Sequence, residues 1–341
     1  MTVAFHSTVG LGFSRRAASM ALKADVNGRA LVSAAWLNEN RSSVGVVDST
    51  WHLPTEKRDA AKDHRTRRIP GSIFLDIDKV ANLETDLPHM LPSAEFFRES
   101  LQALRINVGR PVVFYSANGF VGSARAWWTF RAFGLEDVYV LDGGLQAWID
   151  SGFPLDVTEA RACQSLGYSD ETSATAFLKL NVPTPVIYAA QDQAEPGAET
   201  EVPTVRLRES FVRSFDDIIR NIDTQKELLV DARSPAGRFD GSVPEPRAGV
   251  PSGHAPGSLS LPFTDLYQDK NGRMKELADL RKLVEDLGID LKSTKPIVTS
   301  CGTGVTCAIT SLALFELGVN SSIYDGSWLD YVARDGPIVR S

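Results

Sequence analysis

The chain has 341 residues, 43% hydrophobic and 23% charged, a globular composition too long for one ordinary core, so two domains are expected. A formal net charge of -7 leaves no dense basic face for nucleic acid, and no run of about 18 apolar residues offers a membrane span. Three cysteines, Cys163, Cys301 and Cys307, form no disulfide framework and fit a reducing compartment.

Residues 1–24 contain no Asp or Glu but carry Arg15, Arg16 and Lys23 among Ser and Ala. That composition matches a mitochondrial transit peptide within a leader over 1–28; a leader without an address, and a cytosolic protein, is the second reading. From Val44 onward the chain reads twice. Val44–Asp48 and Glu227–Asp231 are each an apolar strand ending in Asp. Arg68-Ile69-Pro70-Gly71-Ser72 pairs with His254-Ala255-Pro256-Gly257-Ser258, and Pro111–Tyr115 pairs with Pro296–Ser300. Finally Val140-Leu141-Asp142-Gly143-Gly144 pairs with Ile323-Tyr324-Asp325-Gly326-Ser327. Measured at Asp48, Pro70, Pro111 and Asp142, the offsets are 183, 186, 185 and 183 residues. Alternating strands and helices in each copy predict two α/β domains, 29–155 and 208–341, with mostly parallel sheets. Between them, 156–207 reads as an exposed linker. Gln191–Pro203 is polar and aperiodic, Val186-Ile187-Tyr188 is a short strand-like piece, and Cys163 is expected to be inert.

In the second copy, Thr299-Ser300-Cys301-Gly302-Thr303-Gly304-Val305-Thr306-Cys307 joins a buried strand to an apolar helix that Gly318 would cap. A cysteine there faces unpaired backbone N–H groups at the positive end of the helix dipole, which favours the thiolate. Gly302 and Gly304 let the backbone curl around the sulfur. The first copy has Ser116 at the equivalent point, a poor nucleophile without an adjacent base, so that domain is expected to be catalytically silent.

The duplication, Gly237-Arg238-Phe239, Pro244-Glu245-Pro246-Arg247, the CGTGVT loop at Cys301 and Asp325-Gly326-Ser327-Trp328 together resemble the 3-mercaptopyruvate sulfurtransferases of the rhodanese superfamily. The likeness covers roughly 30–335. It implies two tandem rhodanese-like domains and transfer of sulfur from 3-mercaptopyruvate through a Cys301 persulfide. The acceptor would be cyanide or a thiol such as thioredoxin or a small thiol. No cofactor is implied, and the five scattered histidines imply no metal. The thiosulfate-using subgroup resembles CRKGVT, with two cations where this chain has Gly302 and Thr303. A neutral loop suits an organic anion whose carboxylate lies away from the reacting sulfur.

The resemblance further implies Arg238 and Arg247 as substrate-binding, with Gly302, Gly304, Val305 and Thr306 of the loop. A guanidinium fork can hold a carboxylate, although surface arginines are commoner than ligands. It also implies a proton relay of Thr303, His89 and Asp78; a helix cap for Asp78 and a hydrogen-bonded loop residue for His89 are the plain readings. Arg233 is expected in a structural ion pair, and His254 in a structural role. Trp127, Trp128 and Trp148 are expected in core or inter-domain packing, and Arg125 as a cleft-lining residue from the silent domain. Cys307, one turn or so into the helix, is expected to pack in the core, with a redox switch as the second reading. A Cys-based phosphatase is excluded because Cys307 stands where C-x5-R needs arginine. A non-catalytic sulfur carrier is the non-enzyme alternative.

Overall fold

The computed structural model describes residues 28–53, 56–117, 119–158, 204–269 and 272–341. The leader before Gly28, Cys163, Val186–Tyr188 and Gln191–Pro203 lie outside the described residues. In the first half, strands β1 (Leu31–Val32), β2 (Gly45–Asp48), β3 (Ile73–Phe74), β4 (Val112–Tyr115) and β5 (Val138–Leu141) alternate with helices α1 (Ala34–Asn40), α2 (Ala60–Thr66), α3 (Ala94–Ala103), α4 (Val121–Ala132) and α5 (Gly144–Asp150). The second half repeats the theme with β6 (Val212–Arg213), α6 (Phe215–Thr224), β7 (Leu228–Asp231), β8 (Leu259–Ser260), α7 (Leu277–Asp286), β9 (Ile297–Ser300), α8 (Cys307–Glu316), β10 (Ser321–Tyr324) and α9 (Ser327–Ala333).

Each half forms one five-stranded sheet, in the orders β1-β5-β4-β2-β3 and β6-β10-β9-β7-β8, and every pairing is parallel. Helices cover both faces of such a sheet, which is why the central strand Val112-Val113-Phe114-Tyr115 is apolar without alternation and buried throughout. Helix starts follow local chemistry. Ser33, Asp59, Ser93 and Ser214 each accept a backbone N–H from their first turn, and Ser214 forms a capping box with Asp217.

The equivalent helices α4 and α8 lack a polar face, and nearly all their residues are buried. A helix apolar all round needs cover on every side. Each packs on its own sheet and then on the other, with Trp127 edge-on to Phe315 at 5.4 Å and Arg131 lying over both rings. Trp127 and Trp128 are therefore inter-domain core, whereas Trp148 belongs to the first domain's outer core. Two reciprocal hydrogen bonds mark a pseudo-two-fold relation. Asp142 accepts from Met274 N–H at 2.9 Å, and Asp325 accepts from Leu91 N–H at 2.7 Å. Leu91 and Met274 are themselves 183 residues apart, like the two aspartates.

At the described ends of the stretch read as linker, the chain lies against the first domain. Asp156 pairs with Arg68 at 2.5 Å, and Arg206 and Arg208 donate backbone N–H groups to Phe133 and Ala132.

Candidate active site

Cys301 directly follows β9, at the carboxyl edge of the second sheet where ligands of parallel α/β sheets gather. Helix α8 begins at Cys307 itself, not a turn earlier, so the Cys307 N–H is one of the free donors of the first turn. The Cys301 side chain is buried, which alone would push its thiol up. Against that, the neighbouring Cys307 and Thr306 side chains and the backbone N–H groups of Cys307 and Thr303 favour the charged form, so the thiol lies well below its ordinary value. Burial and the adjacent Cys301 push Cys307 the other way, well above that value, so it remains a thiol.

The loop is fixed from behind by α9. Trp328 N–H donates to the Cys301 carbonyl at 3.0 Å, and Leu329 N–H to that of Gly302 at 3.1 Å. Ser327, held at a positive φ of 50°, accepts the Cys301 N–H at 3.1 Å and donates its hydroxyl to Tyr324. A non-glycine residue in that conformation is strained. Gly304 has φ +79°, and a Cβ there would meet the Asp325 carbonyl at 2.4 Å, so only glycine fits the turn.

Arg238 sits on the turn Pro235–Phe239 with its guanidinium over the loop, Nη1 lying 3.8 Å from where a Gly302 Cβ would stand. Its recorded ion pair, to Glu245 at 3.4 Å, is loose, and the side chain is partly exposed. The same Glu245 carries Arg233, which also pairs with Asp231 at 2.7 Å, donates to the Gly253 carbonyl and lies over Trp328. That buried network ties the Arg238 segment to β7, the structural role expected of Arg233. His254 likewise stacks on Phe239 and bonds its carbonyl. Arg247 lies in the same exposed segment, and its side chain forms no ion pair among the described residues.

From the first domain, His89 Nδ1 lies 2.7 Å from Asp78, and Trp51 donates its indole N–H to the same carboxylate. Burial would raise the Asp78 carboxyl, but His89, Trp51 and Lys79 lower it below the ordinary carboxylate value. Asp78 is thus a partner of His89 rather than a helix cap. The structure brings these two together but forms no hydrogen bond between His89 and the Thr303 hydroxyl.

Arg125 of α4 makes the main crossing between domains. It donates to the Gly304 carbonyl at 2.8 Å and to the His89 carbonyl, and pairs with Asp325 at 2.7 Å while lying over Trp128. One buried guanidinium therefore holds the nucleophile loop and the His89 loop together. Nothing about its sequence neighbourhood beyond Trp127-Trp128 distinguishes it. The best signal is Asp325, an acidic residue in a repeated motif that needs a buried cation.

The family model described as rhodanese-like domain matches residues 33–151 and 214–334, the second span holding the whole Cys301 loop. The chain belongs to the rhodanese-like family. "Thiosulfate/3-mercaptopyruvate sulfurtransferase 1, mitochondrial" of Arabidopsis thaliana is 35% identical over 317 residues, covering 90% of this chain and 77% of that protein. The 3-mercaptopyruvate sulfurtransferase of Homo sapiens is 35% identical over 318 residues, covering 91% and 94%. Among solved rhodanese folds, SseA from Escherichia coli, described as a 3-mercaptopyruvate sulfotransferase, superposes with a TM-score of 0.68 at 29% identity. That match covers 88% of this chain and 99% of SseA. Among the described residues of this rhodanese-like protein, no helix is long and apolar enough to cross a membrane.

Proposed function

We propose that this protein is a sulfurtransferase that takes the sulfur of 3-mercaptopyruvate onto Cys301 and passes it to a thiol or to cyanide, releasing pyruvate. The observation that carries this reading is a buried Cys301 at the carboxyl edge of β9, in a loop without cationic side chains, under the Arg238 guanidinium. Arg238, with Arg247 from the exposed segment that follows it, binds the substrate carboxylate and keto oxygen. The Cys301 thiolate attacks the substrate sulfur, an S–S bond forms, and the C–S electron pair leaves with carbon as pyruvate enolate. The enolate takes a proton on carbon. His89, oriented by Asp78, and the Thr303 hydroxyl are the groups assigned to that transfer. The N–H groups around the loop, with Gly302, Gly304, Val305 and Thr306, cradle the persulfide. In the second half-reaction an acceptor thiolate or cyanide attacks the outer sulfur, and Cys301 leaves as thiolate.

The natural acceptor is proposed to be a dithiol protein of the thioredoxin kind or a small thiol. Mitochondrial residence is proposed from residues 1–24, which lack Asp and Glu, and from the mitochondrial Arabidopsis relative, and a fusion of residues 1–28 to a fluorescent reporter tests it. For the activity, turnover of 3-mercaptopyruvate and of thiosulfate is compared with cyanide as acceptor, for the native protein and Cys301→Ser. The expected result is a higher kcat/KM for 3-mercaptopyruvate and none for the variant. A higher value for thiosulfate overturns the donor assignment, and full activity of Cys301→Ser overturns the mechanism.

A further inference from the structure

Ser327 is the first residue of α9 and stands in the left-handed region, φ 50°, with a fully buried side chain. Its counterpart in the first copy, 183 residues earlier, is Gly144 at φ 56°, the first residue of α5. Glycine takes that conformation without steric cost, whereas serine does not. The turn before each helix differs to match. A Cβ on Gly144 would meet the Ser116 carbonyl oxygen at 2.1 Å, so the first copy has no room for a side chain. In the second copy the preceding Gly326 adopts φ -68° and ψ -22°, where Gly143 has φ 74° and ψ 6°, and the serine is accommodated.

The Ser327 hydroxyl is used in both directions: it accepts the Cys301 N–H at 3.1 Å and donates to the Tyr324 carbonyl at 2.9 Å. The next two residues of α9 extend the grip. The Trp328 and Leu329 N–H groups, which have no partner inside the helix, donate to the Cys301 and Gly302 carbonyls at 3.0 and 3.1 Å. Both peptide groups that flank the Cys301 Cα are therefore held by α9, the N-terminal one through the serine side chain. In the first copy Leu145 N–H makes the carbonyl contact to Ser116 at 2.9 Å, but Gly144 has no hydroxyl to offer the Ser116 N–H.

We propose that Ser327 is a positioning residue for the nucleophile: its hydroxyl fixes the Cys301 backbone and so aims the sulfur at the substrate. With its N–H and carbonyl both anchored, Cys301 has its φ and ψ set, and these restrict the side-chain rotamer. The strained residue stands where a hydroxyl serves the nucleophile, and glycine stands where the matching loop carries no cysteine. The inference rests on the sulfurtransferase reading for what Cys301 attacks, not for how it is held.

The test compares native protein, Ser327→Ala and Ser327→Gly. Alanine removes the hydroxyl and keeps the left-handed strain, whereas glycine removes both. Denaturant midpoints should therefore place Ser327→Gly above Ser327→Ala. Turnover should not follow that order. In both variants kcat with 3-mercaptopyruvate and cyanide should fall about tenfold or more, with KM close to native because Arg238 and Arg247 are untouched. The half-point pH for alkylation of Cys301 by iodoacetamide should rise in both, since the loop N–H groups that favour the thiolate move with the loop. A native kcat in Ser327→Gly overturns the proposal, and so does a loss confined to KM. Glycine suits the backbone, so that variant carries the test if the alanine one does not fold. Failure of the sulfurtransferase reading would show separately: the native protein would not turn over 3-mercaptopyruvate, while the alkylation half-point would still rise in both variants.

Discussion

The two carboxyl-edge loops, Ser116–Phe120 and Cys301–Thr306, start from the same strand position and end at equivalent helices, yet only one holds an activated atom. Their backbones are anchored alike: Leu145 N–H donates to the Ser116 carbonyl at 2.9 Å, as Trp328 does to that of Cys301 at 3.0 Å. The surroundings then diverge. Ser116 Oγ is engaged locally, accepting the Ser123 N–H at 2.9 Å, and the Tyr267 phenol of the second domain lies against Gly119. Over the other loop stands Arg238, and Arg125 grips its far side. Behind the loops, Asp48 is bonded by Thr50 and His64, whereas Asp231 carries Arg233 and through it the Glu245 segment. Duplication preserved the frame, and the difference between the copies lies in which partners each strand-end acid recruits.

The comparison can be broken most severely by making the second loop resemble the first. Cys301→Ser should lower turnover by at least about a thousandfold, because a hydroxyl without a base does not ionise in that loop. Steady-state kinetics with cyanide as acceptor checks it. Removing the cross-domain clamp comes next. Arg125→Met leaves Asp325 buried without its cation, which should destabilise the protein by about 3 kcal/mol in denaturant titration and release the Gly304 carbonyl. Activity of the folded fraction should fall as well.

The third test concerns pH. The folded Cys301 value is depressed below the ordinary 9.0 of the unfolded thiol, so the unfolded chain binds more protons between those two values. The stabilisation is therefore fully present above the unfolded value and lost as pH falls through the folded one. The stability of native protein relative to Cys301→Ser should rise with pH up to about 9, and denaturant midpoints across that range measure it. The smallest effect is expected for Ser116→Cys. Without the sulfur-directed donors of the other loop, it should add no second persulfide, and intact mass after donor treatment should gain one sulfur per chain.

Much of this was readable along the chain. The paired Asp-ended strands, the Pro-Gly-Ser turns and the Asp-Gly motifs located both sheets, because each marks a backbone geometry that recurs with the fold. Cys301 was legible for the same reason, lying between a strand and a helix with two glycines. Arg125 was visible only as a cleft residue, and its reach to Gly304, His89 and Asp325 follows from how two apolar helices dock. The orientation of the Thr303 hydroxyl was not legible either. Side-chain direction in a curled loop depends on φ and ψ, which residue type alone does not specify.

By itself the sequence determined the duplication, the parallel α/β architecture, the single cysteine loop and its neutral composition, since these depend on local propensity and repeat spacing. The tertiary structure decided which charges meet. Burial of α4 against α8 carries Arg125 from the first copy to the Cys301 loop of the second. That is a long-range consequence of packing two apolar helices in a low-dielectric interface, where an unpaired charge costs enough to dictate its partner.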